Sequence, residues 1–276
     1  MSSLLQEVKV LLAELGHYPK RSLGQNFLVN EQVIEKILHQ AKSLAPRTLV
    51  EIGPGLGALT KGLGRDFRGR FLLMEMDKRF CEHWRSEGFE VHEGDALRLD
   101  WNELGLEPPA LLVSNLPYQI SSTLVIDRCL GPDSVQFMLL MFQKEVAQRI
   151  VARPHSRDYG LLSVMAQVFW KIDFVLEAGP RDFYPAPQVA SRVLKFCRVG
   201  TGLGAWSAQD RQGFLSFLKT TFAQRRKLLL NNLKQVPRRT NWEALLAEMN
   251  IDIKARAENL TPSQFVSLYQ RYLGKI

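Results

Sequence analysis

The sequence has few of the features that mark secreted, membrane or metal-binding proteins. Its 276 residues include three cysteines, Cys81, Cys129 and Cys197, which are odd in number and far apart. This spacing argues against a disulfide framework and matches no metal-ligand motif, so no bound metal is expected. We predict reduced, buried thiols, as in a cytoplasmic protein. No run of about 18 apolar residues occurs, so no membrane span is expected.

Targeting and repetitive segments are also missing. The first residues, MSSLLQEVKVLLAELG, form an amphipathic helix pattern with acidic residues inside it. They lack the basic start, apolar core and small-residue cleavage site of a secretion signal. No long low-complexity tract or internal repeat is apparent, and the hydrophobic fraction of 46% is that of an ordinary globular protein.

Positive charge is plentiful. The formal net charge is +8 and the isoelectric point is about 9.5, which permits a polyanionic partner such as nucleic acid. The charge is uneven, because Arg225-Arg226-Lys227 and Arg238-Arg239 lie in the last quarter while most acids lie in the first half. Arg153 and Arg157 make the loop 153–160 a further candidate surface, although an ordinary solvated loop is the simpler interpretation.

A glycine-rich turn and two acids follow successive predicted strands. The strand Thr48–Ile52 runs into Gly53-Pro54-Gly55-Leu56-Gly57 and then a helix, as at the start of a doubly wound α/β sheet. Glu75 and Asp95 follow the next two strands. Ligands of such sheets bind beyond the carboxyl ends of the strands, where Glu75 would accept from ribose hydroxyls and Asp95 from an adenine amine. A helix cap explains either acid alone, but the ordered set favours a nucleoside site.

The stretch Asn115-Leu116-Pro117-Tyr118 follows another predicted buried strand, Ala110–Val113. Proline ends the strand ladder, and we expect the carbonyls of Leu116 and Pro117 to be free to face a pocket. Amide and carbonyl oxygens beside an aromatic ring suit a planar base with an exocyclic amine, because the oxygens accept its N–H bonds while Tyr118 stacks. The alternative is a plain turn with a core tyrosine.

The glycine motif bears on which nucleoside binds. A dinucleotide enzyme would carry G-x-G-x-x-G, whereas residues Glu51 to Gly57 read E-x-G-x-G-x-G and no dehydrogenase constellation is evident. S-adenosylmethionine lacks phosphates, so its site needs a close backbone approach without a phosphate cradle. These features favour S-adenosylmethionine.

In the last third of the chain, a proline-containing segment is followed by a linker and by helical patterns. Phe183 precedes the rigid segment with Pro185 and Pro187 and is a candidate second face for an aromatic sandwich, with a buried core phenylalanine as the alternative. A glycine-rich linker over 199–204 separates helical patterns that run to Ile276. We therefore predict a catalytic domain over residues 1–200 and a helical domain over 201–276.

Seven motifs together resemble the ribosomal RNA adenine dimethyltransferases of the universal small-subunit type: RSLGQNFL, VEIGPGLGALT, MEMD, GDAL, NLPYQISS, FYPAPQVASRV and FAQRRKLLLNNL. The resemblance covers nearly the whole chain. It implies an α/β, Rossmann-like S-adenosylmethionine-dependent methyltransferase domain with a small C-terminal all-helical RNA-binding domain. It also implies dimethylation of N6 of two adjacent adenosines near the 3′ end of small-subunit rRNA, acting as a monomer on the immature small ribosomal subunit.

The resemblance also implies roles for individual residues. Cofactor contacts are expected from Gln25, Asn26, Leu28, Gly53, Gly55, Glu75, Asp95 and Asn115. The target adenine is expected against Asn115, Leu116, Pro117, Tyr118 and Phe183. RNA contacts are expected from Lys20, Arg21, Arg153, Arg157, Arg225, Arg226 and Lys227. One departure is Leu161, which stands where similar proteins often carry an arginine.

Other functions remain open at this point. The related macrolide-resistance methyltransferase of large-subunit rRNA shares the chemistry and differs in the RNA that it recognises. A ribosome-assembly checkpoint factor would use the same surface chiefly for binding. An NAD-dependent dehydrogenase would bind nicotinamide, which the glycine motif does not favour.

Overall fold

The structure, a computed structural model, describes residues 3–16, 18–19, 25–199, 206–237 and 240–275. It divides into two compact units, which we call the sheet unit and the helical unit. The sheet unit comprises Met1–Ala147 and Ile172–Arg198, and the helical unit comprises Gln148–Lys171 and Val199–Ile276.

The helical unit is larger than the predicted domain 201–276. It includes residues 148–171, because the helix Leu161–Phe169 packs against the helices Ala208–Thr221 and Pro262–Leu273. The glycine-rich linker marks only one of the points where the chain passes between units. The other crossings lie within regular elements and carry no composition signal.

Most strands belong to a seven-stranded sheet with the order β4-β3-β2-β5-β6-β9-β7. The strands from β4 to β6 are parallel, and β9 is antiparallel to β6. The strands are β1 Phe27–Leu28, β2 Thr48–Ile52, β3 Arg70–Glu75, β4 Glu90–Glu93, β5 Ala110–Asn115, β6 Val135–Gln143, β7 Trp170–Ala178, β8 Phe183–Tyr184 and β9 Ser191–Arg198.

Helices surround this sheet and build the helical unit. The helices are α1 Ser3–Glu14, α2 Glu31–Ser43, α3 Thr60–Gly64, α4 Lys78–Ser86, α5 Ser121–Leu130, α6 Lys144–Ile150, α7 Leu161–Phe169, α8 Ala208–Thr221, α9 Leu229–Leu233, α10 Trp242–Glu248 and α11 Pro262–Leu273. Short 3₁₀ turns occur at Pro180–Asp182 and Ala257–Asn259.

The central strands are apolar because both faces of the parallel sheet are covered. Every residue of β2 is buried, and β5 is buried up to its last residue. On one face, Val33, Ile34 and Ile37 of α2 join a core cluster with residues of β2 and β5. Asn30 caps α2, since its side-chain oxygen accepts from the backbone of Gln32 and Val33.

A two-stranded antiparallel sheet, β1 with β8, is a feature that the sequence did not predict. Leu28 pairs with Phe183, and Asn30 Nδ2 donates to Asp182 Oδ1 at 2.7 Å. These contacts join the RSLGQNFL and FYPAPQVASRV motifs, which are about 150 residues apart in the chain. The pairing thereby sets the position of the Asn26 segment within the sheet unit.

The helical unit has an aromatic core. Phe214, Phe217 and Leu218 of α8 are buried, and Phe222 is half-buried. Trp206 and Tyr269 complete this core, with ring centroids 5.0 and 5.4 Å from that of Phe214. The helix α11 begins with Thr261 as its cap and Pro262 in its first turn, a sequence pattern typical of a helix start.

The cysteines do not all have the predicted burial. Cys81 and Cys129 are free and buried, but Cys197 is only half-buried at the end of β9, so the prediction of buried thiols is wrong for Cys197. Within the described ranges, no helix is both long enough and apolar enough to cross a membrane. Among those residues there is also no group of three or more metal-ligating side chains.

Candidate active site

A cavity of about 1160 Å³ opens at the carboxyl ends of the parallel strands. It lies at the point where the strand order reverses between β2 and β5, which is where open α/β sheets bind ligands. Eleven predicted site residues line it: Gln25, Asn26, Leu28, Gly53, Gly55, Glu75, Asp95, Asn115, Leu116, Pro117 and Tyr118.

The glycines after β2 serve two purposes. Gly53 and Gly57 both have positive φ angles, +66° and +84°. A Cβ at Gly57 would lie 2.3 Å from the Trp84 ring, so this glycine is required by packing. A Cβ at Gly53 would meet no atom within 4 Å, which leaves room for a ligand to approach the backbone there.

Glu75 ends β3 with a carboxylate that is already oriented. Its Oε1 accepts from the backbone N–H groups of Met76 at 2.8 Å and Asp77 at 2.9 Å. Burial raises the pKa of Glu75 above its ordinary value, and hydrogen bonds from the backbone of Asp77, Met76 and Gly55 partly oppose that shift. The arrangement fixes the carboxylate at the cavity wall.

Asp95 combines a capping contact with a place in the cavity. Its Oδ1 accepts from the backbone of Leu97 at 2.9 Å, and its Oδ2 lies 3.6 Å from Nε of the exposed Arg98. Asp95 therefore caps a turn rather than a helix, because residues 94–109 contain no helix. The residue nevertheless lines the cavity beyond β4, so the turn that it stabilises also forms part of the wall.

Asn115 occupies the tip of β5. Its Nδ2 donates to the carbonyl oxygen of Asn26 at 2.9 Å, across 89 residues of chain. Because the nitrogen is engaged, the side-chain oxygen is the atom of this amide that remains to accept from a ligand. The neighbouring Ser114 hydroxyl donates to the carbonyl of Ile52, which joins the ends of β5 and β2.

The two carbonyls after Asn115 differ from each other. The carbonyl of Pro117 accepts from the backbone N–H of Ile120 at 3.2 Å, so the expectation that it is free is wrong. The bond closes the turn that leads into α5. No residue that the structure describes donates a hydrogen bond to the Leu116 carbonyl oxygen. This oxygen is therefore the better candidate acceptor for a ligand.

Tyr118 lines the cavity with its ring half-buried. Its hydroxyl lies 3.0 Å from Oγ of the buried Ser191, and burial raises its pKa above the ordinary value. Ser191 is a contributor that sequence reasoning missed, although it lies inside the quoted FYPAPQVASRV motif. It anchors the phenol end of the ring and leaves the ring face available.

Phe183 is not among the residues that line the cavity. Its side chain is 3% exposed and belongs to the core cluster that includes Leu28 and Val193. Its pairing with Leu28 places it behind the wall formed by β1. A role for Phe183 against the target base therefore stays a prediction.

Glu51 is a second residue that sequence reasoning passed over. It sits in the fully buried strand β2, is 2% exposed and lines the cavity. Burial raises the pKa of this carboxyl from 4.5 to about 8, with a further rise from the nearby Glu75. The sequence signal for Glu51 is that it is the one charged residue in the predicted strand TLVEI.

The N-terminal helix α1 forms another wall, although the sequence suggested no role for it. Val8 and Leu12 are buried with Phe27, Leu73 and Trp84, while Glu7 and Glu14 line the cavity. Arg79 of α4 donates to the carbonyls of Leu15 and Gly16 at the end of this helix. The amphipathic pattern of α1 thus reflects a helix with one face in the core.

The predicted RNA contacts have different environments. Lys20 and Arg21 lie outside the described residues. The side chains of Arg153, Arg157, Arg226 and Lys227 are exposed in the helical unit and form no ion pair with any other described residue. Arg225 differs from these four, since it pairs with Glu258 at 3.2 Å.

The comparisons with solved structures define the class of protein. A dimethyladenosine transferase from Plasmodium falciparum superposes with a TM-score of 0.75 at 24% identity, covering 90% of this chain and 98% of that one. The 23S rRNA methyltransferase ErmE superposes with a TM-score of 0.63 at 27% identity, covering 89% and 99%. With the strand-end cavity, these likenesses identify a Rossmann-like methyltransferase, followed in the chain by a C-terminal helical region.

Sequence comparisons are more specific. A protein of Bdellovibrio bacteriovorus named ribosomal RNA small subunit methyltransferase A is 49% identical over 263 residues, covering 94% of each chain. The protein of that name from Neisseria meningitidis is 35% identical over 264 residues, covering 94% of this chain and 98% of its own. The family described as ribosomal RNA adenine dimethylase matches residues 16–273. The chain belongs to that family.

Proposed function

We propose that this protein transfers methyl groups from S-adenosylmethionine to N6 of two adjacent adenosines near the 3′ end of small-subunit rRNA. The observation that carries the proposal is the Asn115 amide, which the Asn26 carbonyl orients at the edge of a nucleoside-sized cavity. Relatives that align over almost their whole length are named for the small subunit.

The cavity suits S-adenosylmethionine by its charge and by its shape. Acidic residues outnumber basic ones along its lining even without Glu51, whose pKa is raised to about 8: Glu7, Glu14, Glu31, Glu35, Glu75 and Asp95 against Lys61 and Arg65. Such a lining favours a ligand with cationic groups and hydroxyls over a pyrophosphate, which argues against a dinucleotide. The open space at Gly53 admits the ligand to the backbone.

Each strand end has a distinct part in holding the methyl donor. We assign the ribose hydroxyls to Glu75, because its carboxylate is held by two backbone donors and needs no reorientation. Asp95 and its turn border the adenine, and Gln25, Asn26 and Leu28 border the remaining part of the ligand. When bound, S-adenosylmethionine supplies an electrophilic methyl group on a sulfonium.

The target adenine is then held by oxygen acceptors and an aromatic ring. In this proposal, Asn115 Oδ1 and the Leu116 carbonyl accept the two N–H bonds of its exocyclic amine, which is supported by the engagement of Asn115 Nδ2 with Asn26. Accepting both bonds counteracts delocalisation of the nitrogen lone pair into the ring and directs it toward the methyl group. Tyr118 stacks on the extruded base, which contributes about 1–3 kcal/mol.

The methyl transfer needs positioning more than a strong base. As the nitrogen gains the methyl group, the sulfur keeps the bonding electron pair, and the acidic N–H proton passes to water. A second transfer requires the monomethylated base to return with its remaining N–H paired. The loss of one donor at a site built with two acceptors weakens rebinding.

Exposed cations of the helical unit are proposed to bind RNA phosphates. Arg153, Arg157, Arg226 and Lys227 are free of ion pairs with the described residues, so their charges are available to a polyanion. We extend this role to Lys20 and Arg21 as a prediction from the sequence. We also propose a cytoplasmic monomer that acts on immature small subunits.

The experiment is labelled methyl transfer to separated ribosomal subunits from cells that lack this protein, followed by nucleoside analysis. Dimethylated adenosine in small-subunit rRNA is the expected result. ErmE, a 23S rRNA methyltransferase by name, shares the fold, so label in the large subunit would show the alternative function. Cofactor binding without methyl transfer to either subunit would instead indicate an assembly factor.

A further inference from the structure

The first arginine of the FAQRRK motif is engaged by the protein itself. Arg225 Nη2 donates to the carbonyl oxygens of Arg157 and Tyr159, each at 2.9 Å. The same nitrogen lies 3.2 Å from a carboxylate oxygen of Glu258. All four residues belong to the helical unit. One guanidinium therefore joins two carbonyls near the end of the loop 153–160 to an acid of a separate segment.

The same loop is anchored from its other side. The His155 backbone N–H donates to the Glu258 carbonyl at 2.8 Å, and His155 Nδ1 lies 2.9 Å from Asn259 Nδ2. His155 holds a left-handed φ of +67°, which costs conformational energy for a residue with a side chain. The hydroxyl of the buried Tyr159 donates to the Leu260 carbonyl at 2.8 Å.

Arg225 thus differs in kind from the basic residues around it. Arg226 and Lys227 follow it in the chain, and Arg153 and Arg157 lie on the loop whose carbonyls accept its hydrogen bonds. These four side chains are exposed without an ion pair to any residue in the described ranges. The charge of Arg225 is compensated by Glu258, so it adds little to the field that a phosphate would meet.

We infer that Arg225 is a positioning residue for RNA binding. It fixes the loop 153–160, and with it Arg153 and Arg157, on the same part of the helical unit as Arg226 and Lys227. The four free cations then form one preorganised basic surface for an RNA backbone, which we call the loop-and-motif surface. The identity of the ligand as RNA rests on the proposed function. The role of Arg225 in holding the loop rests on the contacts of Arg225 alone.

The decisive variant is Arg225→Lys, because it keeps the positive charge and loses the planar fork that contacts two carbonyls. Arg225→Gln, which removes the charge as well as the fork, is the comparison variant, and Arg226→Lys is the matched control. Amide hydrogen exchange of residues 153–160 in the RNA-free protein is the first measurement. We expect exchange there to rise at least about tenfold in both Arg225 variants, the effect of losing a charge-assisted bond, while Arg226→Lys matches wild type.

Binding of a small-subunit rRNA fragment across a salt series is the second measurement. In Arg225→Lys we expect weaker binding than in wild type, despite the unchanged net charge. A phosphate contact would behave otherwise, since lysine would largely preserve both affinity and salt slope. The inference is overturned if Arg225→Lys shows wild-type exchange, or binds RNA as wild type does while Arg225→Gln is impaired.

The exchange measurement separates this inference from the proposed function. It uses no RNA and no cofactor, so loop loosening in Arg225→Lys would stand even if the protein methylated neither ribosomal subunit. Loop loosening with unaltered RNA affinity would instead overturn the link between the loop and RNA binding. Thermal melting of each variant shows whether the partly exposed side chain can be replaced without unfolding the unit.

Discussion

The cavity of the sheet unit and the basic surface of the helical unit are built by different means. In the cavity, backbone geometry places each group, since Glu75, Asp95 and Asn115 all stand at or just beyond strand ends. On the basic surface, long exposed side chains supply the charge, and one arginine fastens the loop that carries two of them.

The difference shows which kind of change each region tolerates. A strand-end group is fixed to within a fraction of an ångström by the sheet, so removing it affects chemistry or cofactor affinity sharply. A surface cation contributes through a field shared with its neighbours, so removing one has a graded effect that depends on salt. Variants in each region test whether the effects of substitution differ between the cavity and the basic surface in this way.

Asn115→Ala should have the largest effect. Without the amide oxygen, one N–H of the target amine has no acceptor, and we expect a loss of about 100- to 1000-fold in single-turnover methyl transfer. Asn102→Ala, an exposed asparagine outside the cavity, is the matched control and should retain wild-type turnover. Methyl transfer by Asn115→Ala at a near wild-type rate would show that the tetrapeptide is only a turn.

Glu51→Gln tests how the buried carboxyl in the cavity wall changes the free energy of unfolding with pH. Burial raises the pKa of Glu51 from 4.5 to about 8, so the neutral carboxyl stabilises the fold fully below pH 4.5. That stability is lost as the pH rises toward and through 8. The loss from pH 5 to pH 8 should be on the order of 3 kcal/mol in wild type.

The glutamine variant should lose most of this pH dependence in urea unfolding without cofactor. Glu75, whose pKa burial also raises, leaves a residual slope of the same sign. The exposed Glu87→Gln is the control and should match wild type at every pH. A Glu51→Gln curve parallel to that of wild type would mean that Glu51 is not buried in solution.

Glu75→Ala should weaken cofactor binding without changing the response of RNA binding to salt. Loss of charge-assisted bonds to the ribose corresponds to about a 10- to 100-fold rise in the dissociation constant of S-adenosylmethionine. Calorimetric titration gives the constant, and Glu87→Ala serves as control. An unchanged constant would remove Glu75 from the cofactor site, while a changed RNA salt slope would contradict the separation of the two regions.

The same contrast explains what the sequence could predict. The strand Thr48–Ile52, the Asn30 and Thr261 caps and the eleven predicted cavity residues follow from local patterns, because strand ends in a parallel sheet converge on one edge. Contacts between distant segments leave no local signal. Examples are the pairing of β1 with β8 and the hydrogen bonds from Arg225 to the loop 153–160.

Misplaced expectations have the same origin. The Pro117 carbonyl is expected to be free because proline ends the strand ladder, but it accepts from the backbone N–H of Ile120 in the turn that leads into α5. The stacking role of Phe183 stays a prediction, because its strand pairs with β1 and its side chain lies in the core of this structure. Which atom of a residue is already satisfied depends on the tertiary structure rather than on the residue type.

Arg226→Gln and Lys227→Gln should have the smallest effects, and they test the helical side of the comparison. Each removes one exposed cation, so each should lower the salt slope of RNA binding by about 0.7–0.9 and leave cofactor affinity unchanged. Lys219→Gln, an exposed lysine on α8, is a charge-matched control whose slope should stay at the wild-type value. If all three variants lower the slope equally, the effect reports net charge alone, and the loop-and-motif surface has no special part in binding RNA.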